Sequence, residues 1–305
     1  MSSLFGPMRL IAEGARRGAG RRMLADLTAQ LADRGLDLDV VHPPAGGVGA
    51  AAREAVDAGL RYLVAVGTDG TVNAVVNGLF EDGKPVEPEV VLGVAAAGAH
   101  SDFSRTYGLD RPPRLLASHL AGDRSMDIDV GQVTFTGPDG APASRLFVNL
   151  AQAGYGADLI RRVGLMPSFT GRVSRLLAAY GAVRGARRPE TAVELAQTTA
   201  TDPLLDLVVA NGQFFSDGMK VAPRGLPDDG RFNVQLYTGR RSQMFLLTQR
   251  LYRGEHLPDP HIREYQSPTV KLAPDPPLPI EVDSVFIGWT PAAFTVLERV
   301  LRLKI

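Results

Sequence analysis

Five consecutive residues in the first quarter of the chain have the types expected of a phosphate-binding loop. They follow an apolar run at 62–66 and precede a segment of helical spacing, and they are Gly67, Thr68, Asp69, Gly70 and Thr71. Glycine allows a ligand to approach the backbone closely, and the free N–H groups of a helix start attract anions. The loop therefore predicts a phosphate site, with a tight strand-to-helix turn capped by its aspartate as the alternative.

The carboxylate inside this loop refines the predicted chemistry. Asp69 would repel a bare phosphate, since both groups are negative. It fits if Mg²⁺ lies between the carboxylate and the phosphates, or if the carboxylate handles a proton. Asp69 therefore indicates nucleotide phosphates together with a metal ion.

A second glycine-containing turn follows the next strand-like run of the chain. After the run 90–95 come Gly98, a small-residue turn, and Asp102 at a predicted helix start. Neighbouring parallel strands place the loops that follow them at one carboxyl edge of the sheet, which is where α/β proteins bind ligands. We therefore expect the two loops to lie together.

The elements that would position these loops alternate between strand and helix. Strand patterns and helical spacings follow one another at 8–12, 20–34, 36–41, 49–58, 62–66, 72–79 and 90–95. Short apolar strands alternating with helices predict a parallel sheet with helices on its faces. We assign residues 1–127 to this nucleotide-binding α/β domain.

From residue 128 onward the pattern changes to a mainly antiparallel one, which predicts a β-sandwich or flattened barrel over 128–305. Strands are predicted at 128–136, 144–151, 191–197, 205–211, 231–237, 269–272, 279–282, 294–296 and 300–304. Helices are predicted at 159–162, 169–183 and 241–252.

Bulk composition excludes several classes of protein. The 305 residues are 45% hydrophobic and 22% charged, with zero net charge and no cysteine. Zero net charge gives no indication of nucleic-acid binding, and the lack of cysteine removes disulfides and thiolate zinc sites. The five histidines show no ligand spacing. Without a signal peptide or a membrane-length apolar run, we expect a soluble cytoplasmic protein that at most lies on the inner membrane face.

The motifs resemble those of one known superfamily along essentially the whole chain. Residues 66–79, VGTDGTVNAVVNGL, resemble the G-G-D-G-T-x-N-E-V-x-N-G-L signature of the diacylglycerol and sphingosine kinases, and 98–109, GAHSDFSRTYGL, resemble its second block. NAD kinases and phosphofructokinases share only the first block. Later blocks of the lipid kinases are matched in the same order at 128–131, 147–157, 209–234 and 282–305.

The resemblance implies an ATP- and Mg²⁺-dependent lipid kinase with its site in a cleft between the domains. It would phosphorylate a hydroxyl of a diacylglycerol- or sphingoid-like membrane lipid. The nucleotide-binding residues would be those of the first loop and the second block: Gly67, Thr68, Asp69, Gly70, Thr71, Asn73, Gly98, Ala99, Ser101 and Asp102. Asp69 would attend the ATP-bound Mg²⁺, and Asp283 would match the general base that takes the proton of the lipid hydroxyl.

Several substitutions within the motifs favour a rival interpretation, a degenerate member that binds nucleotide or lipid without efficient turnover. The departures from the family pattern stand at Glu13, Thr68, Ala74, Ala99, Ser101 and Val285. If position 68 requires φ > 0, threonine is strained there by about 1 kcal/mol or more. If φ is negative, its N–H group still serves the phosphate and its hydroxyl adds a donor. A small-molecule kinase of the NAD kinase type is a second rival, which the late blocks disfavour.

One departure suggests a replacement for a structural metal ion. Some bacterial relatives hold a structural Mg²⁺ on a P-D-x-x-x-D-D-G run linked to the aspartate of V-D-I-G. The corresponding residues here are Asp228 and Asp129, but Arg224 occupies the first aspartate position. We predict that the Arg224 guanidinium takes the place of the ion and pairs with Asp228. A surface arginine beside an Asp-Asp-Gly turn is the alternative.

A basic segment at 161–188 has seven arginines and no acidic residue. Its apolar residues Phe169, Val173, Leu176, Leu177, Tyr180 and Val183 share one helical face. A helix packed on the sandwich with a solvated basic face would explain this pattern. The functional alternative is a surface that rests on an anionic bilayer, where the lipid substrate is found. The oligomeric state is not indicated by the sequence.

Overall fold

The computed structural model describes residues 3–13, 18–96, 101–166, 171–216 and 218–305. The chain divides into two units, Met1–Val130 with Leu297–Ile305, and Gly131–Val296. The predicted boundary at residue 127 lies close to the first division. The sequence did not indicate that the last nine residues belong with the first unit.

The first unit alternates strands and helices, as the spacing of apolar residues predicts. Its elements are β1 (Met8–Ala12), α1 (Gly18–Ala32), β2 (Leu38–Val41), α2 (Val48–Asp57), β3 (Tyr62–Gly67), α3 (Asp69–Leu79), β4 (Phe80–Glu81), β5 (Lys84–Pro85), β6 (Val91–Ala96), α4 (Asp102–Thr106) and α5 (Pro113–Ala121). A strand that continues into the second unit follows, β7 (Ser125–Thr136).

The sheet of the first unit is parallel. β1 lies between β2 and β3, and β6 pairs with the other edge of β3. Every residue of β3 is buried, and strands covered on both faces read as continuous apolar runs. One core cluster joins the sheet to α1 and α5 through Leu27, Leu31, Leu116 and Leu120.

The second unit is built mainly from antiparallel strands. Its elements are β8 (Pro142–Phe147), β9 (Leu150–Gly154), α6 (Tyr155–Gly164), α7 (Gly171–Gly185), β10 (Glu190–Leu195), β11 (Thr199–Pro203), β12 (Asp206–Ala210), β13 (Phe232–Tyr237), α8 (Arg241–Arg253), β14 (Ile262–Ser267), β15 (Thr269–Leu272), β16 (Pro279–Val282) and β17 (Val285–Lys304). β17 ends in the first unit, where its residues 302 and 303 pair parallel to β6.

Successive side chains along the strands of the second unit point to opposite faces of the sheet, and the two faces differ in polarity. Five strands pair antiparallel in the order β14, β13, β12, β9 and β16, and β17 follows β16. One face carries the large apolar core, with Val209, Val234 and Ile280. The opposite face carries a smaller apolar cluster and polar side chains, among them Gln152 and Glu281.

The predicted fold class is confirmed: a parallel α/β unit precedes a mainly antiparallel β unit. Three strand predictions need correction. The run 144–151 forms two strands, β8 and β9, and the runs 294–296 and 300–304 belong to the single strand β17. The strands β11 and β14 and the helix α5 were not predicted. Within the described residues, no helix is long and apolar enough to cross a membrane.

Candidate active site

The first loop is a single-residue turn between β3 and α3. Thr68 caps α3 with φ −94° and ψ 176°, an extended conformation that any residue adopts. Threonine at this position therefore has no left-handed strain, and the second of the two predicted conformations is the observed one. Gly67 is needed for a different reason, because a Cβ atom there would lie 2.7 Å from the Cβ of Thr71.

The carboxylate of Glu13, the residue that follows β1, reaches this loop. The Thr71 hydroxyl donates to Oε2 of Glu13 over 2.9 Å, and the Thr68 backbone N–H donates to the same hydroxyl over 3.2 Å. Thr71 is buried. The sequence identified Glu13 only as a departure from the motif at the end of the first strand. Its negative charge therefore lies beside the predicted phosphate position.

Asp69 joins the two predicted loops within the first unit. Its carboxylate accepts a hydrogen bond from the Ser101 hydroxyl at 2.6 Å and from the Asp102 backbone N–H at 3.1 Å. A longer bond of 3.4 Å comes from the N–H of Phe103. The parallel pairing of β3 with β6 places the carboxyl ends of both strands at one sheet edge, as expected. The Asp69 side chain is therefore fixed by the start of α4.

The other predicted nucleotide residues divide into three groups. Ser101 caps α4 by accepting the Ser104 N–H at 3.0 Å, so its hydroxyl both donates and accepts. Asn73 is fully buried on α3 and accepts a bond from the Asn77 amide at 3.2 Å. Gly98 and Ala99 lie outside the described residues.

Asp283 is buried at the turn between β16 and β17. Its carboxylate accepts three backbone N–H groups, from Val148 at 2.9 Å, Asn149 at 3.0 Å and Leu150 at 3.1 Å. These donors lie at the break between β8 and β9, where the sequence predicted one continuous strand. Bonds to ionised acceptors are among the stronger hydrogen bonds in proteins, so the three amides fix the position of this carboxylate.

Two charged residues near Asp283 were not identified from the sequence. Glu281 is fully buried and accepts the Ser284 N–H at 2.8 Å. Burial raises the pKa of its carboxyl well above the usual range, and the charge of Asp283 raises it further. Burial lowers the pKa of Arg145, and the charge of Asp283 opposes that shift. Strand alternation could have indicated Glu281, since it lies two residues before Asp283.

The predicted replacement of the structural metal by Arg224 requires a correction. The guanidinium forms an ion pair with Glu264 instead of the predicted Asp228, and 67% of the Arg224 side chain is exposed. In the first unit, the carboxylate of Asp129 accepts the Arg299 N–H at 2.8 Å. This bond links β7 to the returning C-terminal strand. A role of Asp129 and Asp228 in a metal network remains a prediction.

The basic segment differs from the expected pattern in two ways. Arg161 and Arg162 both pair with Asp158 at 2.6 Å, so an acidic residue just before the segment compensates part of its charge. On α7, Ala178 is buried, whereas 57% of Leu177 and 66% of Tyr180 are exposed. These two members of the predicted apolar face therefore lie at the surface of the unit. Phe169 lies outside the described residues.

Two family models match successive parts of the chain. Residues 8–133 match the family described as the diacylglycerol kinase catalytic domain, and 149–305 match the YegS C-terminal NAD kinase beta sandwich-like domain. A diacylglycerol kinase of Bacillus subtilis is 26% identical over 258 residues, which cover 84% of this chain and 81% of that protein. A protein of Chromohalobacter salexigens named "Probable lipid kinase YegS-like" is 28% identical over 244 residues, which cover 76% of this chain and 72% of that protein.

The fold is also shared with a solved structure. A diacylglycerol kinase from Bacillus anthracis aligns over 99% of this chain and 97% of its own length, with a TM-score of 0.71 and 16% identity. A match at this identity supports the fold alone. Together with the two domain matches, the loops described above define a lipid kinase fold. The chain belongs to the bacterial diacylglycerol kinase and YegS-type lipid kinase superfamily.

The turn that carries Asp283 provides a test of local strain. Ser284 has φ +67° and is exposed, and residues with a Cβ atom are disfavoured in this left-handed region. We expect Ser284→Gly to raise the free energy of unfolding by about 0.5–1 kcal/mol. Glycine relieves the left-handed strain of the folded state, and this gain exceeds the cost of the greater conformational entropy that glycine gives the unfolded chain. Urea unfolding should measure this, with Ser284→Ala, which keeps the Cβ atom, as the control. An unchanged or lower stability of the glycine variant would contradict the explanation.

Proposed function

We propose that this protein is an ATP- and Mg²⁺-dependent lipid kinase that phosphorylates a hydroxyl of a diacylglycerol- or sphingoid-like membrane lipid. The observation that carries the proposal is the hydrogen bonding of Asp69 to Ser101 and Asp102. It joins the first loop to the start of α4 at the carboxyl edge of a parallel sheet, where phosphates are commonly bound. Phosphoryl transfer depends mainly on positioning and charge stabilisation, which such an edge can supply.

The residues around the loop suit Mg²⁺. This ion is usually held by one or two carboxylates together with substrate phosphates and water, and Glu13 and Asp69 both border the loop. Among the described residues no three metal-ligating side chains form a cluster, so the phosphates would complete the coordination. Bound Mg²⁺ would neutralise part of the phosphate charge. Gly70 would contribute its backbone N–H group to the phosphates, whereas the N–H group of Thr68 already donates to the Thr71 hydroxyl.

Asp283 is proposed as the general base. Three backbone N–H groups hold its carboxylate in one orientation, and a fixed orientation is what proton transfer from a lipid hydroxyl requires. Burial and the charge of Asp283 raise the pKa of the nearby Glu281 carboxyl, which favours its protonated form.

A kinase assay tests the proposal directly. Purified protein with Mg²⁺ and labelled ATP should phosphorylate diacylglycerol or a sphingoid base in mixed micelles. We expect Asp69→Asn and Asp283→Asn each to lower kcat by about 100-fold or more, as the loss of a catalytic charge commonly does. Because Asp283 also binds three amides, the activity must be expressed per folded protein, measured by circular dichroism.

The same assay separates the two main candidates. If wild-type protein binds the nucleotide in calorimetry but forms no lipid phosphate with any alcohol tested, the degenerate interpretation holds and the kinase proposal fails. The specific observation that favours this second candidate is Glu13. Its carboxylate already accepts the Thr71 hydroxyl, which would otherwise be available to a phosphate.

The charge of Glu13 predicts how nucleotide binding depends on metal. Without Mg²⁺ the carboxylate should repel the phosphates, so Glu13→Gln should raise the affinity for metal-free ATP by about tenfold, the equivalent of one modest charge interaction. Glutamine keeps an oxygen for the Thr71 hydroxyl. With Mg²⁺ present, the gain should disappear or reverse.

Calorimetric titrations with and without Mg²⁺ measure both arms of this prediction. Glu89→Gln, which removes the charge of an exposed glutamate in the same unit, is the matched control. Equal affinities of wild type and Glu13→Gln for metal-free ATP would show that the carboxylate does not act on the phosphates.

We also propose that α7 rests on an anionic bilayer, where the lipid substrate resides. Leu177 and Tyr180 are exposed on a helix whose last turn contains Arg184, and each arginine near the headgroups contributes about 1 kcal/mol at most. The protein should co-sediment with anionic vesicles, less so as salt is raised. Leu177→Ser/Tyr180→Ser should reduce this binding severalfold, whereas equal binding to neutral and anionic vesicles would contradict the proposal.

A further inference from the structure

Four arginines surround one hollow in the second unit. The hollow has a volume of about 700 Å³ and is lined by Ala186, Arg187, Arg188, Pro189, Arg240, Arg241 and Pro276. Two of the arginines follow α7, and the other two stand at the start of α8. Two segments far apart in sequence therefore contribute guanidinium groups to the same space.

The charge of this hollow is not compensated within the described part of the chain. No carboxylate there forms an ion pair with any of the four arginines, and none lines the hollow. This contrasts with Arg161 and Arg162, whose charges Asp158 balances. Four uncompensated guanidinium groups in one concave surface repel each other, and a bound anion would remove that repulsion.

Two of the arginines are held in place by backbone carbonyl groups. Arg241 donates to the carbonyl oxygen of Arg184 at 2.8 Å, in the last turn of α7. Arg188 donates through Nη2 to the carbonyl oxygen of Thr238. The Nε atom of Arg188 is shielded from solvent and has no acceptor among the described residues. A donor in this state is destabilising unless an acceptor reaches it.

The chemistry of the hollow suits a phosphate group. Guanidinium groups bind phosphate oxygens through paired N–H donors, and the first turn of α8 adds the partial positive charge of a helix N-terminus. We propose that Arg187, Arg188, Arg240 and Arg241 form a phosphate-binding site in the second unit, additional to the loop at Gly67–Thr71. The site recognises a phosphate monoester or diester.

A neighbouring cavity offers room for the rest of such a ligand. It has a volume of about 560 Å³, and Ala186 and Arg187 lie in the walls of both spaces. Apolar side chains of the cavity include Leu278 and Trp289. The phosphate can therefore belong to a soluble phosphorylated molecule or to a lipid headgroup, and the test separates these sources.

The test replaces Arg187 and Arg240, the two arginines of the hollow whose side chains donate no hydrogen bond to a carbonyl group among the described residues. Arg187 and Arg240 are exposed, so Arg187→Gln/Arg240→Gln should fold normally, which the thermal midpoint verifies. Calorimetry with glycerol 3-phosphate tests the soluble source. Co-sedimentation with phosphatidylcholine vesicles, with and without phosphatidic acid, tests the lipid source.

We expect the double variant to weaken binding by about tenfold or more in at least one arm, since two charge-assisted contacts are lost. Arg187→Lys/Arg240→Lys, which keeps the charges without the paired donors, should fall between the variant and wild type. The matched control Arg231→Gln/Arg253→Gln removes the same charge from exposed positions and should bind within about twofold of wild type.

Three results would overturn the site. Wild-type protein could bind neither the soluble phosphate nor the phosphatidic acid vesicles. The double variant could bind as well as wild type, or lose no more affinity than the control. Excess ATP could displace all bound glycerol 3-phosphate equally well from wild type and from the double variant, which would locate that binding at the first loop. The lipid kinase proposal does not depend on any of these results.

Discussion

The hydrogen bonds between Asp69 and the start of α4 are the interaction on which the proposed chemistry depends. They exist because β3 and β6 pair in parallel, so that the carboxyl ends of both strands lie at one sheet edge, where Asp69 reaches the start of α4. A carboxylate placed there without donors would carry an uncompensated charge in a partly buried setting. The Ser101 hydroxyl and the Asp102 N–H stabilise it and also fix its direction. The parallel pairing of the two strands thus determines the orientation of the Asp69 carboxylate.

The orientation of the Asp283 carboxylate is also fixed by hydrogen-bond donors, but these donors come from a different kind of element. Three consecutive amides at the break between β8 and β9 donate hydrogen bonds to its carboxylate. The carboxylate is thereby both a structural acceptor and the proposed base. The residues beside it are also unusual. Ser284 is left-handed at φ +67°, and burial raises the pKa of the Glu281 carboxyl.

The sequence predicted those features that follow from apolar periodicity and motif order. The strands β1, β15 and β16 have the predicted bounds, because each is an uninterrupted apolar or alternating run. The break at Val148 and Asn149 could not be predicted, since a carboxylate 133 to 135 residues away causes it. The same limit applies to Glu13, which looked like a lost motif residue until its bond to Thr71 was visible. Long-range polar contacts leave no periodic signal.

The substitutions in the loops therefore have unequal consequences. Thr68 adopts extended backbone and Ser101 both donates and accepts, so neither position disturbs the turn that it occupies. Glu13 differs, because it adds a negative charge beside the position where phosphates would bind. A phosphate site can accommodate such a charge only if a cation lies between the two. The loop geometry is thus compatible with the proposed catalysis, and on that proposal the balance of charge around Thr71 would decide whether nucleotide binds.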